Sequence, residues 1–228
     1  MHKSLLNLAA VALSATLGTQ AAAASLTGSA ALTSDYVFRG ISQTNGHPAL
    51  QGGVQYQAEN GWYVASWAST LDPYPANGAK AELDLSAGWQ GALTQELTLN
   101  ATLTRYTYPG AHRASTDYNE LLGTLTWRDH VWLMTGWSDD AFASGHSALY
   151  SQIGLRLPLA GMTVEPSLGY YALSDALGRS YMHGDVALVK SVDKFTFRLA
   201  GHFTDRAARK LFSHLAGSRV ELSASIDF

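Results

Sequence analysis

The last nine residues of the chain, 220–228, alternate strictly between apolar and polar side chains. Successive side chains of a β-strand point to opposite faces, so this segment forms a strand with one apolar and one polar face. Segments with the same alternation recur along the chain, which restricts it to sheets that have two unlike faces. The apolar face of the last strand carries Val220, Leu222, Ala224, Ile226 and Phe228.

The first two dozen residues have the composition of a cleaved secretory signal peptide. Lys3 supplies a positive charge, residues 5–17 an apolar core, and residues 21–24 a small-residue cleavage site before Ser25. The apolar run is shorter than the roughly 20 residues that a membrane-spanning helix needs. The sequence therefore predicts a signal peptide over residues 1–24 and one exported domain over residues 25–228.

Composition narrows the class of protein further. The 228 residues include no cysteine, so the chain has neither disulfides nor thiol chemistry. The formal charge is -3, so nucleic acid is not an expected partner. Hydrophobic residues make up 46% of the chain, yet the mean hydropathy is -0.04 because polar residues are interspersed among them. No motif implies a cofactor.

The alternating segments number about twelve, each roughly ten residues long, which is the length a tilted strand needs to cross a bilayer. Long breaks follow the odd-numbered strands and short breaks the even-numbered ones, as at the two ends of outer-membrane barrels. An even number lets the first and last strands pair and close the sheet. We therefore predict an all-β fold: a transmembrane, antiparallel, up-and-down β-barrel of about twelve strands. Residues 62–71 and 118–127 leave the parity open, because apolar side chains lie on both faces.

Aromatic residues on the apolar face are expected at the two membrane interfaces. The first strand is predicted to run from Ser25 to Arg39, which directs Tyr36 and Phe38 toward lipid at the outer rim. Tyr170 and Phe203 complete the outer set. The inner set comprises Tyr56, Trp89, Trp127, Phe195 and Phe228.

If the apolar face meets lipid, the polar face lines a lumen. Mixed charges on such a wall set ion preference through their local fields, and the acidic excess favours cations weakly. Alternatively, the same charges form internal ion pairs that plug or brace a barrel narrower than the open porins of roughly 16 to 18 strands. The residues predicted to line the pore are Asp35, Arg39, Glu82, Asp84, Glu120, Arg156, Glu165, Arg198, Arg219 and Glu221.

Two histidines are predicted to face each other across one hairpin. If residues 191–194 form a four-residue loop, His183 lies directly opposite His202, with Asp185 nearby. Cross-strand neighbours have Cβ atoms about 5 Å apart, so the imidazoles are close enough to share a divalent metal ion or a proton. A lasting metal site usually needs three or four ligands, so two merely solvated histidines are the alternative.

Three stretches of the chain carry a resemblance to a known family. They are SDYVFRGISQT at residues 34–44, WASTLD at residues 67–72 and ELDLSAGW at residues 82–89. With these stretches the chain resembles the TorF-type porin family of proteobacterial outer-membrane proteins, over essentially all of residues 25–228. The resemblance implies a porin of the outer membrane but no catalytic or ligand-binding residues.

The pattern as a whole predicts a bacterial outer-membrane channel for passive diffusion of small hydrophilic solutes or ions, with the outer loops constricting its mouth. Its expected partners are membrane lipid, lipopolysaccharide near Arg206, Arg209 and Lys210, and the outer-membrane assembly machinery. Phe228 at the end of an alternating strand resembles the signal that this machinery reads. A structural or adhesive barrel without an open pore is the alternative. A lipid hydrolase is disfavoured because no Gly-x-Ser-x-Gly motif is present, so no enzymatic activity is expected.

Overall fold

The computed structural model describes residues 23–72, 78–111 and 116–228, and most of these residues belong to β-strands. Residues 1–22, which hold most of the predicted signal peptide, lie outside the described residues. Within the three described ranges, no helix is both long enough and apolar enough to span a bilayer.

Twelve strands in the described ranges form one antiparallel sheet that closes on itself. Each strand pairs with its neighbours in sequence, and the first pairs with the last, where Ala31 lies opposite Ser225. Closure leaves no free edge, so the backbone of the wall is satisfied within the sheet. The predicted fold class is therefore confirmed. The strands are β1 (Ser25–Thr33), β2 (Ala49–Gln57), β3 (Trp62–Thr70), β4 (Ala81–Ala92), β5 (Leu97–Thr107), β6 (Tyr118–Trp127), β7 (Val131–Ser138), β8 (Ala148–Leu155, continued as Leu157–Leu159), β9 (Met162–Ala172), β10 (Tyr181–Val192), β11 (Phe195–Thr204) and β12 (Arg219–Asp227).

The connections between strands alternate in length, as predicted. Short turns lie at one end of the barrel, for example residues 128–130 between β6 and β7. Long connections, the outer loops, lie at the other end, for example residues 34–48 between β1 and β2. In the described part of the chain, the helical elements of the outer loops are α1 (Ser174–Leu177), α2 (Arg206–Phe212) and 3-10 turns at Ala141–Ala143 and Ser213–Leu215.

Side chains of the wall alternate between the two faces of the sheet. In β5, Leu103 points outward and is 55% exposed, while its neighbours Thr102 and Thr104 point inward and are buried. The same alternation places large apolar side chains around the whole outer surface, as a lipid-facing surface requires. Examples from successive strands are Leu32, Leu50, Val64, Leu85, Leu121, Leu133, Ile153, Leu168, Val186, Leu199 and Leu222.

The structure shows which side chains of β3 and β6, the two strands of open parity, point inward. In β3, Trp62 is exposed, whereas Tyr63 and Trp67 are buried inside the barrel. In β6, Leu121 faces outward, and Leu122 packs against buried interior residues. Apolar residues occupy both faces of these strands because the interior of this barrel is itself filled by large side chains.

Most of the aromatic residues predicted for the membrane interfaces lie on the outer surface. Trp89 is half-buried, and its indole Nε1 donates to the backbone oxygen of Asn60 at 3.0 Å. Trp127 likewise donates to Glu96 Oε2 at 3.3 Å, so both indoles combine an apolar ring with a polar partner at the inner turns. The exposed members are Tyr170 and Phe203 of the outer set, and Tyr56, Trp127, Phe195 and Phe228 of the inner set.

The prediction for the first strand is wrong beyond Thr33. β1 ends there, and residues 34–48 fold back into the barrel instead of continuing toward the outer rim. Tyr36 is consequently buried against Trp67, with 5.4 Å between ring centroids, and does not face lipid. Phe38 likewise lies inside the barrel, where it contacts interior rings. We call residues 34–48 the plug segment.

The predicted register of the β10–β11 hairpin is also wrong, by two residues. Val192 pairs with Phe195, so the turn has two residues and not four. As a result Asp185 lies opposite His202, and His183 lies opposite Thr204. A shift by two residues leaves every side chain on its predicted face, because the side-chain period of a strand is two.

Candidate functional site

The charged residues predicted to line the pore lie on the plug segment or on the inner side of the wall. Several of them pair with one another inside the barrel. This arrangement matches the alternative that the sequence left open, internal ion pairs that brace the barrel. Their role as a pore lining stays a prediction. Asp35, Arg39, Glu82, Glu120 and Glu221 are buried, and Asp84, Arg156, Glu165, Arg198 and Arg219 are partly buried.

A deeply buried ion pair joins the plug segment to the wall. Arg39 Nη1 and Nη2 donate to the two carboxylate oxygens of Glu120 on β6, at 2.9 and 2.7 Å. The Tyr106 hydroxyl donates to the same carboxylate at 3.2 Å. A Cβ at Gly136 on β7 would lie 2.9 Å from Glu120 Oε1, so this glycine leaves room for the carboxylate. Two parallel charge-assisted bonds of this kind fix geometry as well as charge.

Aromatic rings surround the Arg39 guanidinium. Its central carbon lies 3.9 Å from the ring centroid of Tyr150, 4.6 Å from that of Phe38 and 4.7 Å from that of Tyr171. The Tyr181 hydroxyl donates to the backbone oxygen of Arg39 at 3.1 Å. Rings stacked on a guanidinium stabilise its charge in a region without bulk water. The tip of the plug segment is thus held from several sides.

Backbone shape brings Arg39 to this position. Residues 37–38 and 41–42 pair as a small hairpin, and Arg39 and Gly40 at its tip have φ angles of 51° and 80°. A Cβ at Gly40 would lie 2.7 Å from the Cβ of His183 on β10. Glycine alone combines this backbone conformation with such a close approach.

Asp35 ties the base of the plug segment to the last strand. Its carboxylate accepts from the hydroxyls of Ser42 and Thr44 at 2.5 and 3.0 Å. Arg219, at the start of β12, donates to the same carboxylate at 2.5 Å and to the backbone oxygen of Leu215 at 2.7 Å. This ion pair therefore connects the plug segment both to β12 and to the loop after α2.

Two further outer loops pack into the outer end of the interior. Phe142 has a φ of 56°, and its ring centroid lies 5.2 Å from that of Tyr118 and 6.1 Å from that of Tyr171. Ala208 of α2 and Leu215 after it are buried in the same cluster. The outer half of the interior is therefore filled by loops. We call this packed region, residues 34–48, 141–143 and 206–215, the outer plug.

Beside the outer plug, two histidines and two carboxylates form a chain of hydrogen bonds across β10, β11 and β12. Asp185 Oδ2 lies 3.1 Å from His183 Nδ1, and its Oδ1 lies 2.5 Å from His202 Nδ1. His202 Nε2 lies 3.0 Å from Glu221 Oε2. Arg198 donates to that same oxygen at 3.4 Å. We call these five residues the histidine network.

The histidine network differs from the metal site that the sequence suggested. The imidazoles do not face each other, because Asp185 lies between them. Their nitrogens are taken by carboxylate oxygens and by the hydroxyl of Tyr150, 2.9 Å from His183 Nε2. No group of three or more His, Cys, Asp or Glu side chains in the described ranges is arranged to hold a metal ion. The geometry instead fits the other suggestion, groups that share protons.

A cavity extends from Arg39 toward the inner half of the interior. The cavity has a volume of about 80 Å³, and its lining combines apolar side chains such as Trp67 and Met134 with hydroxyl and amide side chains such as Asn100 and Thr102. The Tyr63 hydroxyl donates to Asn100 Oδ1 at 2.8 Å. Asp84 also lines the cavity, and its Oδ1 is buried without a hydrogen-bond partner among the described residues. The cavity therefore presents polar atoms as part of its surface.

Sequence reasoning missed the tyrosines of the outer half. They cover Arg39 and fill the space between the plug segment and the wall. A signal for them was present in the alternation, because each stands at an inward-facing position of its strand. The residues are Tyr106, Tyr118, Tyr150, Tyr171 and Tyr181.

The residues predicted as an assembly signal lie on the outer surface of β12. Phe228 extends the pairing of β1 with β12, because its backbone nitrogen donates to Gly28 at 3.0 Å and Gly28 donates back at 2.7 Å. The Phe228 side chain is 76% exposed. Recognition by the assembly machinery stays a prediction. The outward-facing set is Val220, Leu222, Ala224, Ile226 and Phe228.

Fold and interior together define a class: a closed antiparallel β-barrel with an apolar exterior and with ion pairs and aromatic rings inside it. The structure of the KdgM porin in complex with disordered oligogalacturonate is similar, with a TM-score of 0.55 and 10% identity, covering 90% of this chain and 99% of that one. The NanC porin matches with a TM-score of 0.49, 10% identity and coverage of 89% and 98%. LpxR from Salmonella typhimurium matches with 0.47, 8% identity and coverage of 89% and 99%. At such identities the likeness concerns the fold alone.

The chain belongs to the family described as bacterial protein of unknown function (Gcw_chp), which matches residues 18–225. No curated protein sequence matches it. The family is thereby shown, and the resemblance to the TorF-type family is not confirmed under that name.

Proposed function

We propose that this protein is a small outer-membrane channel for passive diffusion of small hydrophilic solutes or ions, closed at its outer end in the conformation described. The contrast between wall and plug carries the proposal. Beside Arg39 the interior contains a cavity whose lining includes hydroxyl and amide side chains among apolar ones, and the packed region above it is made largely of loops. Loops packed inside a closed sheet can move while the hydrogen bonds between the strands of the wall stay intact.

In this proposal the barrel lies in the outer membrane of a Gram-negative bacterium, because its exposed apolar surface needs lipid. The outward side of β12 with Phe228 serves as the assembly signal. Arg206, Arg209 and Lys210 share the exposed face of α2, where they would bind lipopolysaccharide phosphates through charge-assisted contacts.

Planar-bilayer recordings test the channel proposal. The double variant R39A/E120A removes the pair that holds the plug segment and leaves neither charge unpaired. We expect its open probability to exceed that of the wild type at least about tenfold, since a loss of ~1.4 kcal/mol suffices for that factor. The matched control E96A/R128A removes an exposed pair at an inner turn and should leave opening unchanged.

A folded double variant that never conducts would contradict the proposal. Folding is checked by the heat-dependent shift of barrel mobility on gels. The outcome without conductance would favour the second candidate, a structural or adhesive barrel without a pore. Dense packing of rings around the outer plug, such as Phe142 against Tyr118 at 5.2 Å and Tyr118 stacked on Tyr106 at 4.7 Å, is the observation behind that candidate.

Cation preference is a finer part of the proposal. Glu82 and Asp84 face the interior from β4, and Asp84 presents an unpaired oxygen atom in the cavity wall. In the R39A/E120A background, asymmetric KCl should give a reversal potential that indicates cation preference. Asp84→Asn should reduce that potential, and equal potentials in the two proteins would contradict the role of Asp84.

A lipid hydrolase is not favoured by the geometry. His183 and His202 are buried in the interior, away from the lipid-facing surface. In the described ranges their side-chain hydrogen-bond partners are Asp185, Glu221 and Tyr150, and no serine hydroxyl is among them. We therefore propose no enzymatic activity.

A further inference from the structure

Hydrogen bonds in the histidine network can be assigned donor by donor. His202 lies between two carboxylates, with Nδ1 at 2.5 Å from Asp185 and Nε2 at 3.0 Å from Glu221. Ionised carboxylates only accept hydrogen bonds, so both nitrogens of the ring must carry hydrogen. His202 is therefore an imidazolium in this arrangement.

The same reasoning assigns the charge of His183. Gln152 turns its amide nitrogen toward Ser167 at 2.9 Å and toward Asp185, so its carbonyl oxygen faces Tyr150 and accepts the hydroxyl proton at 2.8 Å. The Tyr150 oxygen atom then accepts from His183 Nε2, while His183 Nδ1 donates to Asp185. Both nitrogens of His183 carry hydrogen, which makes it a second imidazolium.

His183 also contacts the parts that hold the plug segment. Tyr150, its hydrogen-bond partner, lies with its ring against the Arg39 guanidinium at 3.9 Å. Gly40 at the tip of the plug segment packs against the Cβ of His183. A Cβ at Gly169 on β9 would lie 2.2 Å from His183 Nε2, so the wall leaves space for this ring. A change in the protonation or position of the His183 ring therefore alters contacts at the tip of the plug segment.

Charged side chains lie around the histidine network on the plug segment and on the neighbouring strands. Arg39 is paired with Glu120, and Arg219 with Asp35, so neither arginine neutralises Asp185. Within the described residues, the ion pairs of Asp185 are with the two histidines. The network's own further charges are Arg198 on β11 and Glu221 on β12, and the rings of Tyr150 on β8 and Tyr181 on β10 face His183. Tyr171 on β9 packs against Tyr181.

We propose that the histidine network is a pH-dependent latch on the plug segment: protonated imidazoles keep the channel closed, and loss of their protons as pH rises releases the segment. The proposal rests on the channel function proposed above. A neutral imidazole has one N–H, so deprotonation takes a donor from Asp185, Glu221 or Tyr150 and a positive charge from between two carboxylates. The closed form binds more protons, so its population falls with rising pH, by up to about tenfold per pH unit for each proton released.

Cysteine labelling tests the latch without relying on conduction. The chain has no cysteine, so one introduced thiol reports on its own position. Ile41→Cys places the thiol in the plug segment, where the native side chain is 4% exposed. Ser147→Cys in an exposed outer loop corrects for ionisation of the thiol itself. We expect the ratio of the two maleimide labelling rates to rise at least about tenfold between about pH 6 and pH 9.

Histidine variants identify the titrating groups. The double variant H183Q/H202Q cannot titrate at these positions, so its labelling ratio should be high and independent of pH. His146→Gln, in an exposed outer loop, is the matched control and should keep the wild-type profile. A wild-type ratio that does not change with pH, or a double variant that follows the wild type, would overturn the latch. The wild-type measurement decides alone if the double variant does not fold.

Bilayer recordings at the same pH values separate the latch from the channel. Labelling that rises with pH while no current flows at any pH would overturn the channel and support the movement of the plug segment. Current with equal open probability at about pH 6 and pH 9 would overturn the latch and leave the channel intact. Nitrogen NMR of the folded protein gives a third readout: neutral rings at His183 and His202 at about pH 6 would overturn the assignment.

Discussion

The outer and inner halves of the interior are built differently although the same strands enclose both. In the outer half, Arg39 and Glu120 are at most 5% exposed, fully paired and covered by rings. Toward the inner half, hydroxyl and amide side chains such as Asn100 and Thr102 line part of a cavity of about 80 Å³, which reaches up to Arg39 and to the unpaired oxygen atom of Asp84. The wall thus sets the polarity of the lumen, while loops folded into one end determine whether it is filled.

The largest effect is expected when the outer half loses one partner of its buried pair. Glu120→Ala leaves the Arg39 guanidinium buried without a counter-charge, which costs about 3–5 kcal/mol. We expect a lower urea midpoint of unfolding, or release of the plug segment measured by faster labelling of Ile41→Cys. The double variant R39A/E120A should recover part of the loss. If Glu120→Ala unfolded at the same urea midpoint as the wild type, Arg39 would not be held in a site without water.

The next largest effect is expected from substitution of two glycines of the plug segment. They have similar backbone φ angles but different packing environments. Gly40 and Gly46 have φ angles of 80° and 78°. A Cβ at Gly40 would lie 2.7 Å from His183, whereas at Gly46 it would meet nothing within 4 Å. Gly46→Ala should cost about 1 kcal/mol from backbone strain alone. Gly40→Ala should cost about 2–4 kcal/mol by the same unfolding assay, because overpacking adds to the strain.

Equal costs for the two glycine variants would mean that the tip of the plug segment is not tightly seated against β10. That result would weaken the distinction between a packed outer half and a looser inner half.

Two tyrosine hydroxyls, one in each half, give a smaller contrast. Tyr150→Phe removes the bonds to Gln152 and His183 in the packed half and should cost about 1–3 kcal/mol, since buried partners are left unsatisfied. Tyr63→Phe removes the bonds to Asn100 and Thr102 beside the cavity and should cost less than about 1 kcal/mol, because water can replace the hydroxyl. Urea unfolding in lipid vesicles measures both. The reverse order would contradict a wet inner half.

The smallest effect is expected outside both halves, at the inner turns. A hydrogen bond from Arg128 holds the pKa of the exposed Glu96 carboxyl below its ordinary value. Because the folded-state pKa is lowered, the stabilisation is present above the ordinary pKa and is lost as pH falls through the lowered one. Arg128→Ala should raise the pKa of Glu96 toward its ordinary value in an NMR titration, while the bond from Trp127 remains. The urea midpoint of unfolding should stay unchanged, because solvent screening makes the contribution of an exposed ion pair to the free energy of unfolding small. A clear shift of the midpoint would contradict this expectation.

The wall was predictable from the sequence because lipid imposes one rule on every strand. In β5, Leu99 and Leu103 alternate with polar neighbours, and their outward orientation follows directly. The rule fails to specify parity where the interior itself needs large side chains. Tyr63 and Trp67 of β3 point inward for that reason, which a local pattern does not reveal.

The plug segment was not predictable, because local alternation continues through it. Tyr36 and Phe38 keep the period of β1, so the pattern favours a longer strand. The contacts that turn the chain inward are distant in sequence, above all Arg39 with Glu120. For the histidine network the sequence indicated the correct face and hairpin, but the assumed turn length misplaced the register by two residues and so hid the bridging Asp185.

The plug segment joins the first two strands, yet its anchors are made much later during synthesis: Glu120 on β6, Tyr150 on β8 and Arg219 on β12. The last of these anchors, Arg219, stands on the strand that pairs with β1 to close the barrel. The contact between Asp35 and Arg219 therefore requires the first and last strands to be neighbours, so a barrel in which these two strands are not paired lacks this anchor of the plug segment.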